Sequence, residues 1–424
     1  MAARSVRSLA LLLVVLQQLP RAARALNVCT RPWNDTCPAA GGTCRPFAPP
    51  PAASQPADWR ALRGALRNAV FGRADGALPA AGVDAVEPLG GDSGRGCWCS
   101  TLGNCAAAAC TWPANLTRLT FTTSASFPNG SHALTLNSTV YYTLNTSGVA
   151  PLNYPSVGPP GWPTYPAPAA RRGGTLVLFH NGHNQPCNDT ATTDDDSTVD
   201  FLNQLGFDVM SFNMPLYCTN FDPAVGCDHK FFEPLDAAGV AWMRFFVEPA
   251  VRAVNYALGE LGYDRVAMTG LSGGGWTTTV VGALDERIGL AMPVAGSLPC
   301  DFHHTAWDFE QFCDNRWALV ANYTSLYVLG GLEPNKTMVQ INHEQDPCCF
   351  HGCSRHDRIR EYNAFVRGQV EGHFATCVTT GNAHEINVRD RVVIGSLLDK
   401  WRINNGMLSA ADVDELPFNS MREW

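Results

Sequence analysis

From about residue 174 onward the chain alternates short apolar runs with longer stretches of helical periodicity, and no other feature restricts its fold as much. Strands are expected at Thr175 to Phe179, Phe207 to Phe212, Arg265 to Met268, Gly289 to Val294, Met338 to Ile341 and Phe374 to Thr379. Helices are expected at Val199 to Leu205, Ala237 to Leu261, Trp276 to Leu284, Arg355 to Val370 and Val388 to Arg402. Strands separated by helices need crossover connections, so they belong in a mainly parallel sheet covered on both faces, an α/β architecture. Upstream, Leu116 to Leu144 is rich in Thr, Val, Tyr and Phe and is broken at Pro128-Asn129-Gly130, the pattern of antiparallel strands joined by a turn.

One strand-to-helix junction carries chemistry. Gly270-Leu271-Ser272-Gly273-Gly274 lies between the run Val266-Ala267-Met268 and the helical segment that begins at Trp276. In such a tight turn the flanking positions must be nearly free of side chain, which leaves a serine hydroxyl exposed above the sheet. Gly91-Asp92-Ser93-Gly94 imitates the nucleophile motif of trypsin-like proteases. Those enzymes need a histidine before the serine, and none occurs before His132, so Ser93 is read as part of a glycine-rich turn.

A serine needs a base, and the base needs an orienting acid. Two loops at the carboxyl ends of later strands offer them: Asn342-His343-Glu344-Gln345-Asp346-Pro347 and Gly381-Asn382-Ala383-His384-Glu385. The order Ser272, Asp346, His384 follows, with Glu344 as a rival acid and His373 or His356 as rival bases. On these residues, and on the run Leu176 to His180 that leads into Asn181-Gly182-His183, the chain from about residue 115 to 404 resembles the α/β-hydrolase superfamily. The resemblance implies Ser272 as nucleophile, His384 as general base and then acid, and Asp346 as its carboxylate. It also implies an oxyanion hole formed by the N–H of Gly273 and a second donor among Asn181, Gly182 and His183.

Arg4 and Arg7, the apolar run Leu9 to Leu16 and Ala23-Arg24-Ala25 fit a cleaved signal peptide over residues 1–25. All 16 cysteines follow it, together with eight N-x-S/T sequons, at Asn34, Asn115, Asn129, Asn137, Asn145, Asn188, Asn322 and Asn335. An oxidising secretory route and a glycoprotein are expected. The cysteine spacings contain no paired knuckles of the zinc-ribbon kind, so disulfides are expected rather than metal, with Cys218–Cys227 and Cys300–Cys313 as short loop closures. Residues 26–111 read as a Cys- and Pro-rich N-terminal region containing one amphipathic helix, Trp59 to Phe71, and residues 112–424 as the catalytic domain.

An insertion at 298–335 reads as a lid closed by Cys300–Cys313, with Phe302 and Trp307 facing substrate. His303, His304 and three carboxylates in it invite a metal reading, but no spacing singles out an ion. Neither metal nor cofactor is expected. A net charge of −8 without a basic cluster gives no footprint for nucleic acid, and no stretch after the leader approaches the ~20 apolar residues of a membrane span. The expected activity is hydrolysis of a small-molecule, lipid or carbohydrate ester through an acyl-enzyme. A serine peptidase or a catalytically silent binding protein on the same scaffold are the alternatives.

Overall fold

The computed structural model describes residues 58–89, 116–128, 133–144, 174–183, 196–222, 225–226, 228–302, 308–348, 356–379 and 383–414. Residues 1–25, expected to be a signal peptide, most of the cysteine-rich region and residues 145–173 lie outside these residues. Among the described residues no helix is long and apolar enough to cross a membrane.

The expected alternation is present. A nine-stranded sheet is built from β1 (Ala85–Pro88), β2 (Leu116–Ser126), β3 (Ala133–Thr143), β4 (Thr175–His180), β5 (Asp208–Phe212), β6 (Arg265–Leu271), β7 (Ile288–Val294), β8 (Thr337–His343) and β9 (His373–Thr379). Their spatial order is β1-β2-β3-β5-β4-β6-β7-β8-β9. The first three strands form an antiparallel meander whose last member pairs antiparallel with β5, and the remaining six run parallel.

Alternation of side chains sorts the strands between two cores. Leu176, Leu178, Val266 and Met268 enter one hydrophobic cluster, whereas Val177, Phe179, Ala267 and Leu271 enter the other. The first cluster lies under α1 (Trp59–Phe71), α4 (Arg244–Gly259), α5 (Gly273–Leu284) and α6 (Tyr323–Gly330). The second lies under α2 (Asp196–Gln204) and α8 (Val388–Ile403), whose Val393, Ile394, Leu397, Leu398 and Trp401 are buried. Short helices α3 (Glu233–Ala237) and α9 (Ala410–Asp414) and the longer α7 (His356–Arg367) complete the layers.

Two expectations change. The helix read over Ala237 to Leu261 begins only at Arg244, as α4; α3 ends at Ala237, and Gly239 between them sits at φ +77, a conformation that ends a helix. The N-terminal helix α1, read as part of the 26–111 region, joins the core of the region read as 112–424. Leu66, Val70 and Phe71 lie in the main core, and Arg63 donates to the carbonyls of Ala283 (2.8 Å) and Leu329 (2.7 Å) and pairs with Glu333. Together with β1, which pairs with β2, residues 58–89 share the sheet and core of the region expected to begin at 112.

The chain reverses direction across the sheet at β4, since β5 lies on one side of it and β6 on the other. A crevice at the carboxyl ends of the strands is the geometric consequence, and in open α/β sheets such crevices hold ligands.

Candidate active site

Ser272 lies at the carboxyl end of β6, beside the crevice, at φ 57 and ψ −124. A β-carbon makes that region costly, of order 1–3 kcal/mol, so the surroundings must impose it. They do: the Ser272 N–H donates to the Val294 carbonyl (3.0 Å), and its own carbonyl accepts from the Trp276 N–H (2.8 Å) to open α5. The glycines around it have a steric cause. A Cβ at Gly270 would lie 2.6 Å from the carbonyl oxygens of both Gly274 and His180, and one at Gly274 would lie 2.0 Å from the His180 oxygen. Strand β4, strand β6 and the first turn of α5 therefore meet backbone to backbone under the serine.

The two later loops bring their residues together. Asp346 follows β8 and His384 follows β9, and the His384 Nδ1–H donates to Asp346 Oδ2 at 2.9 Å. Asp346 Oδ1 accepts from the Cys348 N–H (2.8 Å). With Nδ1 occupied by the carboxylate, the lone pair of the neutral ring is on Nε2, which is buried and has no hydrogen-bond partner among the described residues. Burial disfavours charge on His384, and the Asp346 carboxylate more than offsets it, holding the pKa above the usual imidazole value. Burial likewise pushes Asp346 up, and His384 overcomes it, holding the carboxyl below its ordinary range.

Among the rival residues, Glu344 continues the ladder by donating its N–H to Thr379, and His373 lies at the opposite end of β9 from the crevice. His356 opens α7. A second buried pair, His343 Nε2 with Asp390 Oδ2 at 2.9 Å, stands behind Asp346. Asp390 also caps α8 through the Asn387 N–H (2.9 Å) and accepts from the Thr379 hydroxyl (2.9 Å), which fixes both ends of the His384 loop.

Of the expected oxyanion donors, Gly273 holds the first helical position of α5, where its N–H has no intrahelical acceptor. Asn181 is otherwise engaged: its N–H donates to the Phe212 carbonyl (2.9 Å), and its side-chain amide donates to Phe212 and to Asn213. Among the described residues the N–H groups of Gly182 and His183 make no backbone hydrogen bond. The His183 ring packs against Gly273 so closely that a Cβ there would meet its Cε1 at 2.4 Å.

His183 also belongs to a cluster that no local sequence pattern announces. His183, His229, Asp308 and Glu310 place one ligand-type atom each within 4.8 Å of one another. His229 comes from the segment between β5 and α3, and the two carboxylates from the segment closed by the Cys300–Cys313 disulfide, which is formed as expected. Burial opposes charge on His183, but Asp308 and Glu310 prevail and push its pKa up to about 9. His183 and His384 both feel the charges of Asp308 and Cys348, so the cluster and the His384 pair share one electrostatic neighbourhood.

Phe302 does not face substrate: it is fully buried and packs near Tyr362, with ring centroids 5.9 Å apart. His303, His304 and Trp307 lie outside the described residues, as does Cys227. Nor is every cysteine in a disulfide, since Cys377 is a buried thiol in β9.

No protein-family model matches the chain, and no curated protein matches it. Solved structures do. TT1662 from Thermus thermophilus is similar at 16% identity and a TM-score of 0.41, over 62% of this chain and 94% of that one. Est1E from Butyrivibrio proteoclasticus is similar at 11% and 0.35, over 67% and 98%. An acylaminoacyl peptidase from Pyrococcus horikoshii is similar at 11% and 0.42, over 70% of this chain and 44% of that one.

Likenesses of this depth leave the assignment to the chain's own topology: six parallel strands reversing direction at β4, a strained serine on the turn after β6, an acid after β8 and a histidine after β9. This is the α/β-hydrolase fold.

Proposed function

We propose that the protein is a serine hydrolase that cleaves carboxylic esters through a covalent acyl-enzyme. The observation that carries this reading is the His384–Asp346 pair, which leaves a buried, unpartnered Nε2 in the loop next in order after the serine and acid turns. In the proposed reaction the Ser272 Oγ attacks the ester carbonyl while His384 Nε2 accepts its proton. Asp346 stabilises the imidazolium. The N–H of Gly273, with that of Gly182 or His183, holds the oxyanion, a contribution of about 10²–10³ in rate per donor. His384 returns its proton to the departing alcohol. Water, deprotonated by the same nitrogen, then cleaves the acyl-serine and restores the enzyme.

A fluorophosphonate probe is expected to label the wild type and to leave Ser272→Ala unlabelled. Equal labelling of the two rejects the reading. Rates on p-nitrophenyl esters against aminoacyl amides separate ester from peptide hydrolysis.

The protein is further proposed to pass through the secretory route as a glycoprotein. Three sequon asparagines among the described residues, Asn137, Asn322 and Asn335, are exposed, as a glycan requires. Enzymatic deglycosylation of protein recovered from a eukaryotic culture medium should increase its electrophoretic mobility, and unchanged mobility would refute the modification.

A further inference from the structure

The cluster beside the oxyanion loop has an electrostatic conflict. His229 Nε2 lies 2.8 Å from the Pro215 carbonyl, which can only accept, so that nitrogen carries the proton. In the neutral ring Nδ1 is then a lone-pair acceptor, yet it faces Glu310 Oε2 at 2.8 Å and His183 Nε2 at 3.0 Å. Glu310 Oε1 stands 3.3 Å from the same His183 Nε2, and Asp308 Oδ2 lies 3.4 Å from His183 Nδ1. Imidazole nitrogens and carboxylate oxygens from three segments thus converge on one point. A proton between His229 and Glu310 relieves only one of the contacts. Among the described residues Glu310 Oε1 and His183 Nδ1, both buried, are without hydrogen-bond partners.

A single divalent cation among His183 Nε2, His229 Nδ1 and the Glu310 carboxylate, in place of protons, satisfies these three together. Zinc binds imidazole nitrogen at about 2.0–2.1 Å and carboxylate oxygen at about 2.0–2.2 Å, so neighbouring ligands of a tetrahedral site stand roughly 3.3 Å apart. The separations of 2.8, 3.0 and 3.3 Å among His229, Glu310 and His183 are of that size. The surroundings suit a metal ligand as well. The far nitrogen of His229 donates to a backbone carbonyl, which fixes the tautomer and orients the ring. Rings of Tyr217, Phe232 and Phe246 enclose the same imidazole at centroid distances of 5.2, 5.8 and 4.9 Å. The Asp308 side chain is 26% exposed, leaving one side open to solvent for the ion's arrival.

We propose that His183, His229 and Glu310, with Asp308 completing the shell, bind one zinc-class divalent cation. The ion holds the disulfide-closed 300–313 segment and the 180–183 loop to each other, and thereby seats the His183 ring against Gly273. Its role is structural, since no ligand is Ser272, Asp346 or His384.

Elemental analysis of purified protein is expected to find about one zinc per chain. Exhaustive chelation should lower the melting temperature, and zinc but not magnesium should restore it. Cobalt added to the chelated protein should develop the visible absorption of a four-coordinate site. Glu310→Gln, which keeps the shape and removes the charge, should weaken zinc binding at least about 100-fold. If that variant does not fold, the measurements on the wild type still decide. Two results would each overturn the proposal: chelated wild type whose melting temperature ignores zinc, or a folded Glu310→Gln variant that binds zinc as tightly as wild type. These readouts need no substrate, so the fate of the esterase reading does not bear on them.

Discussion

The contact between Gly274 and the end of β4 leads to a quantitative prediction. In Gly274→Ala the new methyl would sit 2.0 Å from the His180 oxygen and 2.5 Å from the Asn181 oxygen, both backbone atoms that no rotamer change can move. An ordinary contact is about 3.4–4 Å, so β4 and α5 must separate by about 1.4 Å or more. Helix propensity favours alanine by up to ~1 kcal/mol, but forced displacement in a packed core costs ~1–3 kcal/mol or more. A net loss of about 1–2 kcal/mol is expected. The expected catalytic penalty is larger, because the same displacement parts the proposed oxyanion loop from the serine, and about 1 Å of misplacement costs on the order of 10²-fold.

Gly64→Ala in α1 is the control. A Cβ there meets nothing within 4 Å, so this variant should gain ~0.5–1 kcal/mol with unchanged activity. Urea denaturation gives the first quantity and the second-order rate of fluorophosphonate labelling the second. A Gly274→Ala variant with wild-type midpoint and wild-type labelling would refute the steric reasoning for the motif.

Two further predictions rest on other contacts. In the proposed reaction His384 acts as the neutral base, so kcat/KM should rise as pH increases through its pKa, which Asp346 lifts above about 6.5. Asp346→Asn leaves burial alone acting on the ring, so the midpoint should move to lower pH while kcat falls about 10³–10⁴-fold; an unmoved midpoint would exclude Asp346 as the partner. Arg63→Met strands the Glu333 carboxylate and two carbonyls and should cost about 2–4 kcal/mol, measured by urea titration; an unchanged midpoint would make α1 dispensable.

Much of this was legible in the residues because it is local. The glycines around Ser272 mark a backbone crossing, and apolar runs bounded by turn residues mark β4 and β6 to β9. Selecting Asp346 over Glu344 was less direct, since both lie on one loop and only burial against His384 separates them. The oxyanion donor was harder still. Asn181 continues the β5 ladder by one hydrogen bond, and nothing in His180-Asn181-Gly182-His183 shows where that ladder stops. His229 could not be found at all, because it meets His183 from 46 positions away and Glu310 from 81. Such encounters are decided by how β5 and the disulfide-closed segment pack, not by spacing.

The grip of α1 on the carbonyl end of the serine-bearing helix bears on how the chain is made. Arg63 finds its acceptors 220 and 266 positions downstream, and Glu333 270 positions downstream. At ~5–20 residues per second a ribosome takes roughly 14–54 s to reach that glutamate, and until then the Arg63–Glu333 pair cannot close. Contacts of such range also slow the search for the native topology. In the cell the amino-terminal helix is therefore made well before the partners that lock it, and its docking is expected among the later folding events.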